Sequence, residues 1–407
     1  MSDQRIVILG AGHAGGSVAA FLRQYGHTGP IAIIGDEPVL PYQRPPLSKA
    51  WLKGEAGEDD LQLRPPSFYE EASVEVRLGV RATAIDREAH TVALSDGSSL
   101  AYGKLILAMG ARARPLPAPG TDLAGVYVLR TAADAEALKS ELTPGRRLMI
   151  VGGGYVGLEV AASGRALGAE VTVIEREPRL LARVAGEALS GFFHGYHGAR
   201  GVRFVLGGSV SAIEGEGGKV SAVVLDHGER LPCDVVLVGV GAIPNQELAQ
   251  AAGLACQDGV VVDGQARTDD PDIYAIGDLT RRPLPLYNRA FRLESVPSAL
   301  EQAKQAAADI TGFKPPPPEV PWFWSDQYDL KLQIAGLPFD VDHLIVRGDP
   351  LSAKFAVFHM SGDLIQAVEA VNSPAEFMGG RLLIGARRPV SREKLADPAI
   401  SMKEVGV

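Results

Sequence analysis

A glycine-spaced turn between an apolar strand and a helix occurs twice in this chain, and no other feature constrains its fold as strongly. In the first copy, RIVILGAGHAG, residues 5–9 read as a buried strand, and Gly10, Gly12 and Gly15 give G-x-G-x-x-G. A helix to about residue 25 follows, then a strand over 31–34 that leads to the acidic pair Asp36 and Glu37. The second copy, LMIVGGGYVGLE, repeats the plan with strand 148–151, then Gly152, Gly154 and Gly157, a helix to 167, strand 170–174 and Glu175. In both, the glycines permit a tight turn and close backbone approach. The helix amino terminus faces a pyrophosphate, and the acid accepts hydrogen bonds from ribose hydroxyls. One such turn is a weak signal, because glycines also punctuate ordinary loops. Two, each set between strand and helix and followed by an acid, predict two dinucleotide-binding units.

At 407 residues the chain has room for both, with two to three domains expected. A net charge of −9 and a pI near 5.5 argue against a general nucleic-acid or anionic-membrane binder. The two cysteines, Cys233 and Cys256, form no CxxC or zinc-like spacing, so a disulfide framework is excluded and both are expected to be buried and inert. The chain enters a strand at once, without a cationic segment and apolar signal core, and the expected compartment is the cytoplasm. No apolar run reaches the roughly 20 residues of a membrane helix. The eight histidines show no ligand cluster, and His194 and His197 read as helix-face residues, so no metal site is expected.

Two further stretches, 104–115 and 234–245, carry strands that end in small residues, and each follows a hairpin-like stretch. That arrangement inserts the second unit within the first. The strand 273–276 runs into Gly277-Asp278, where Asp278 reads as a ligand for the ribityl and phosphate region of a flavin. A helix over 297–312 is stopped by Gly312. The prolines at 315–318 form a stiff boundary, and strands of a small mixed domain follow. In that domain Trp322, Phe323 and Trp324 are core material by default, with Trp324 a candidate to face the flavin or a partner. The expected fold is therefore α/β, with two Rossmann-like dinucleotide-binding domains, one inserted in the other, and a small α+β carboxy-terminal domain. The boundaries are 1–113 and 243–315 for the outer domain, 114–242 for the inserted one and 319–407 for the last.

The second unit also carries two informative acids. Glu175 suits the free 2′-hydroxyl of NADH and repels the extra phosphate of NADPH, although Arg176 beside it can accommodate that phosphate, so NADH is favoured. Glu159 lies in VGLEVA, too apolar for a solvated face, and a carboxylate buried there needs a partner.

Together GAGHAG, YQRPPLSK, GGGYVGLE, YAIGD, ESVPSALEQA and PWFWSDQY resemble the FAD-dependent, NADH-using ferredoxin reductases that serve bacterial aromatic-ring dioxygenases and haem monooxygenases. The resemblance covers nearly the whole chain. It departs at Ala108 to Gly110, where many relatives have threonine before the glycine. It implies the glutathione reductase fold, with FAD in the outer unit and NADH in the inserted one. It carries Gly10, Gly12, Gly15, Glu37, Arg44, Lys49, Arg130, Asp278 and Val296 over to FAD, and Gly154, Glu159, Glu175, Arg183 and Gly241 to NADH. Lys49 follows prolines that stiffen its loop, and a cation there would stabilise the reduced flavin and partner Glu159; a Lys49–Glu159 pair is the expected catalytic feature. A disulfide reductase of this fold needs a redox-active cysteine pair near the flavin, and residues 38–53 contain no cysteine.

The implied acceptor is a small [2Fe–2S] ferredoxin, reduced one electron at a time by a monomer or homodimer. Arg281, Arg282, Arg289 and Arg292, in a stretch without Asp or Glu, read as a positive docking island in an acidic protein. Three alternatives remain open: rubredoxin as acceptor; a small acceptor such as a quinone, monodehydroascorbate or oxygen; and a redox-controlled binding protein resembling apoptosis-inducing factor.

Overall fold

The computed structural model describes residues 4–407, which divide into two compact units, each assembled from three stretches of chain. The first takes the chain up to Gln43, Glu58–Arg112 and Ile243–Pro321; the second takes Arg44–Gly57, Ala113–Ala242 and Trp322–Val407.

The first unit is built on a five-stranded parallel sheet in the order Ile273–Ala275, Lys104–Leu107, Ile6–Leu9, Ile31–Ile34, Val74–Arg77. Every residue of Ile6–Leu9 and Ile31–Ile34 is buried. Parallel strands covered on both faces need apolar side chains on both, which is why these stretches are unbroken apolar runs and not alternating ones. Ile6 and Ile8 join Val18 and Leu22 of helix His13–Gln24 and Ala303 and Ala307 of helix Val296–Thr311. Val7 and Leu9 point the other way, onto Val92, Leu94 and Leu100 of an antiparallel meander. Ser295 caps helix Val296–Thr311 by accepting from the Ser298 N–H, and Gly312 ends it in the left-handed region at φ 71°.

The second unit repeats this plan. Its parallel sheet runs Arg203–Leu206, Glu170–Glu175, Arg147–Val151, Val235–Val238, Val126–Tyr127. Leu148 and Ile150 face helix Tyr155–Ala166, while Met149 and Val151 face the meander Val210–Glu216, Lys219–Leu225, Arg230–Pro232. An antiparallel sheet completes the unit, ordered Trp322–Gln327, Leu330–Gly336, Leu364–Val371, Lys354–Ser361, His343–Asp349. Its Leu330, Leu332, Phe355 and Val357 share one buried cluster with Leu158, Leu180, Leu189 and Phe193.

The α/β architecture read from the sequence is the one found. Strand Ile273–Ala275 pairs beside Lys104–Leu107 only after the chain has built the second parallel sheet, so one dinucleotide-type unit interrupts the other. The turns explain the glycines. Gly10 and Gly152 sit at φ 115° and 112°, and a Cβ on either would lie 2.3 Å from a carbonyl oxygen, of Ala108 or of Gly239. Among the described residues no helix is long and apolar enough to cross a membrane.

Candidate functional site

The first unit presents one turn suited to a dinucleotide pyrophosphate. Gly12 is the amino-terminal cap of helix His13–Gln24, no side chain caps the helix, and its first turn holds no acid. A Cβ on Gly15 would sit 1.9 Å from the Gly10 carbonyl oxygen, so the helix approaches the strand end as closely as a glycine allows. These features fit an anion at the helix dipole's positive end. Of the two acids at the next strand end, Glu37 is half-buried and accepts from Tyr42 Oη at 2.6 Å, whereas Asp36 is exposed with Arg81 at 3.4 Å. Asp278 lies in the 3-10 turn Gly277–Leu279, where a Cβ on Gly277 would come within 3.2 Å of Ala14 in the first helix. Val296 begins helix Val296–Thr311, which Thr280 Oγ1 joins to that turn through Gln302 Oε1 at 2.5 Å. Gly10, Gly12, Gly15, Glu37, Asp278 and Val296 thus belong to one unit; Arg44, Lys49, Arg130 and Trp324 belong to the other.

In the second unit Gly154 caps helix Tyr155–Ala166, again without a side-chain cap. A Cβ on Gly157 would lie 2.3 Å from the Gly152 carbonyl oxygen. Glu175 is half-buried and accepts from the backbone N–H groups of Gly153 at 2.7 Å and Glu177 at 3.0 Å, which fixes its carboxylate at the mouth of the turn. Arg183 is exposed, and its guanidinium lies 3.8 Å from where a Cβ on Gly241 would be. Val156 and Val184 are exposed beside these groups in sequence, at 47% and 41%. Arg44 donates to the carbonyl of Arg130, and Asp134 accepts from the N–H of Arg130 at 3.0 Å.

Lys49 and Glu159 meet. Lys49 Nζ lies 2.6 Å from Glu159 Oε2, the lysine side chain being 19% exposed and the glutamate 6%. Pro45 and Pro46 open the 3-10 turn Pro45–Ser48 that delivers Lys49. The helix holds that turn at two levels one turn apart, Glu159 at the Lys49 ammonium and Ser163 Oγ at the Ser48 carbonyl, 2.8 Å away. Sequence reasoning missed two donors. Ser48 Oγ donates to Glu159 Oε2 and Ser325 Oγ to Glu159 Oε1 at 2.7 Å, so both carboxylate oxygens are satisfied. Strand alternation explains Ser325. Trp322–Gln327 sends Phe323, Ser325 and Gln327 toward helix Tyr155–Ala166 and its neighbours, and Trp322 and Trp324 to the opposite face, with their rings 5.7 Å apart.

The arginine island is not intact. Arg282 is 4% exposed and pairs with Glu301 through two bonds of 3.0 and 3.2 Å, because alternation in strand Thr280–Leu284 turns it inward against helix Val296–Thr311. Arg292, with only 11% of its side chain exposed, is paired with Asp258 at 3.3 Å and with Glu294. Arg281 and Arg289 keep accessible surface. Of the two cysteines, Cys233 is buried as expected and Cys256 is not. Burial pushes the fully buried Cys233 thiol up to about 11, while Cys256 is only half-buried, its thiol raised by burial and by Asp269. His197 is on its helix as expected but faces inward, wholly buried.

Comparison with known proteins adds a family context. Residues 4–303 match the model described as pyridine nucleotide-disulphide oxidoreductase, and residues 322–406 the one described as reductase C-terminal. A probable ferredoxin reductase of Castellaniella defragrans is 48% identical over 407 residues, the full length of both chains. Putidaredoxin reductase of Pseudomonas putida is 42% identical, covering 99% of this chain and 97% of its own. Among solved structures, a chain of the covalent putidaredoxin reductase–putidaredoxin complex superimposes with a TM-score of 0.97 at 42% identity, covering 100% of this chain and 98% of that one.

Proposed function

Because the chain belongs to the pyridine nucleotide-disulphide oxidoreductase family, we propose that it is an NADH-dependent ferredoxin reductase with FAD as its resident cofactor. When bound, FAD would supply the chemistry that couples a two-electron hydride donor, NADH, to a one-electron acceptor such as a [2Fe–2S] protein. The residues of this chain supply placement and charge. Gly10, Gly12 and Gly15 shape the turn for the FAD pyrophosphate, Glu37 takes the ribose, and Asp278 and Val296 take the region nearer the flavin. Arg44, Lys49, Arg130 and Trp324 complete the FAD set, while Gly152, Gly154, Gly157, Glu175, Arg183 and Gly241 take NADH. Residues 1–113 and 243–315 are accordingly the FAD domain, 114–242 the NADH domain and 319–407 the carboxy-terminal domain.

One observation carries the reading. In the stretch Arg44–Gly57 a lysine is held against a buried glutamate, and there is no cysteine. That stretch therefore offers no thiol relay, and electrons from a bound flavin would have to pass directly to a partner. A small [2Fe–2S] ferredoxin is that partner, supported by relatives named ferredoxin reductase and by a relative's covalent complex with putidaredoxin. The proposed compartment is the cytoplasm, supported by two cysteines that form no disulfide. Anaerobic titration of the FAD-loaded protein with NADH tests the first half: the flavin absorbance should bleach at one equivalent, and a flavin unmoved by excess NADH would refute the assignment.

A further inference from the structure

Behind the Lys49–Glu159 pair runs a buried hydrogen-bond chain in which every donor points the same way. His197 Nε2 lies 2.7 Å from Gln327 Oε1, Gln327 Nε2 donates to Ser325 Oγ at 3.0 Å, and Ser325 Oγ donates to Glu159 Oε1 at 2.7 Å. Ser325 and Gln327 are 1% exposed and His197 is fully buried. Nothing in the packing of an apolar core calls for such a row of polar groups, and burying it is costly unless each member is satisfied.

We propose that Ser325, backed by Gln327 and His197, is a positioning residue that keeps the Glu159 carboxylate turned toward Lys49. The proposal rests on the reading of Lys49 and Glu159 as the pair that serves the flavin. Its geometry fixes the direction of polarity. Gln327 Oε1 can only accept, so His197 carries its proton on Nε2, and His197 Nδ1 is buried without a hydrogen-bond partner. A second proton would have to enter at Nδ1, and burial holds the imidazole down at about 4, so the ring stays a neutral donor through the working range.

The other groups around Glu159 act in the same sense or are engaged elsewhere. Ser48 and Lys49 donate to its second oxygen from the 3-10 turn. On its own helix, Tyr155 Oη reaches the Val184 carbonyl at 3.4 Å and Ser163 the Ser48 carbonyl. Lys139, on the helix next to that turn, lies over the Trp51 ring at 4.9 Å. Asp326 falls on the opposite face of its strand from Ser325. Arg200 stands behind His197, stacked on Tyr196 and Tyr328, and its charge adds to the lowering of the imidazole.

The test is an infrared difference spectrum of the FAD-loaded protein, with the Glu159 carboxylate stretch assigned by Glu159→Gln. Ser325→Ala removes one of three side chains donating to the carboxylate and should shift that stretch, with Ser325→Thr returning it to its original position. Flavin reduction by NADH should slow roughly tenfold in Ser325→Ala and recover in Ser325→Thr. An unmoved carboxylate stretch in folded, FAD-loaded Ser325→Ala overturns the proposal, as does a rate that Ser325→Thr fails to restore. Lys49→Met separates the two readings. Unchanged flavin reduction in that variant sinks the catalytic role of the pair, whereas the carboxylate stretch of Ser325→Ala judges the relay alone.

Discussion

Replacing Arg282 by methionine distinguishes a core ion pair from a docking surface, and its cost can be worked from the structure. The substitution keeps an apolar stem but leaves the Glu301 carboxylate, 5% exposed, without a counter-charge. Glu301 retains donors at 3.1 Å from Gln305 Nε2 and at 2.9 Å from the Glu319 N–H. Breaking one side of a buried pair costs about 3–5 kcal/mol, and these remaining donors place the expected loss near the lower end, ~3 kcal/mol. With a urea slope of roughly 2 kcal/mol per M, the midpoint of the transition that releases FAD should fall by about 1.5 M. Arg282→Met combined with Glu301→Leu should recover most of that loss, since an apolar pair removes the stranded charge. Ferredoxin KM should stay within about twofold in the folded enzyme, while Arg281→Met should raise it and weaken its salt dependence with less than about 0.5 kcal/mol of stability lost. A stability loss below about 1 kcal/mol in Arg282→Met, together with a raised ferredoxin KM, would refute the core assignment and return Arg282 to the surface.

Three other perturbations follow from the geometry. Glu175→Ala removes both the ribose acceptor and the carboxylate that ties Gly153 and Glu177, so the KM for NADH should rise about tenfold and the preference over NADPH should narrow; steady-state kinetics with both cofactors checks this. A thiol reagent at pH 8 should reach at most one cysteine in the native protein, Cys256, and both in denaturant, and fast modification of Cys233 would contradict its burial. Asp234 accepts from Arg147 through its N–H, Nε and Nη2 at 2.9, 3.0 and 2.6 Å, which holds its carboxyl down at about 2. Its contribution is complete above about pH 4 and is lost as pH falls toward 2. Arg147 is 44% exposed, so screening limits the effect to ~1 kcal/mol or less. Asp234→Asn should flatten that part of the acid stability curve.

The two Rossmann units were readable because buried parallel strands write themselves as short apolar runs, and Gly10, Gly15, Gly152 and Gly157 answer to backbone contacts under 2.5 Å that no other residue fits. Several helix and strand ends fall within about one residue of expectation, as with Ile31–Ile34 and Val296–Thr311. Glu159 was readable as well, since a carboxylate in an apolar helix needs a partner and Lys49 follows a proline-stiffened turn. The serines were not. Ser48 and Ser325 carry no signal in composition or period, and only the side on which their elements pack makes them ligands of Glu159. Arg282 misled for the same reason. Four arginines in a row of loops and strands look like a patch until alternation turns one inward to Glu301, nineteen residues on in sequence.

The most direct test of the account follows NADH consumption by the FAD-loaded protein with and without a small [2Fe–2S] ferredoxin from the same source, recording oxygen uptake together with ferredoxin reduction. The account predicts strong stimulation by ferredoxin, stoichiometric one-electron reduction of its cluster and little direct oxygen uptake. An NADH oxidation rate that ferredoxin leaves unchanged, with electrons going to oxygen or to no acceptor at all, would contradict it.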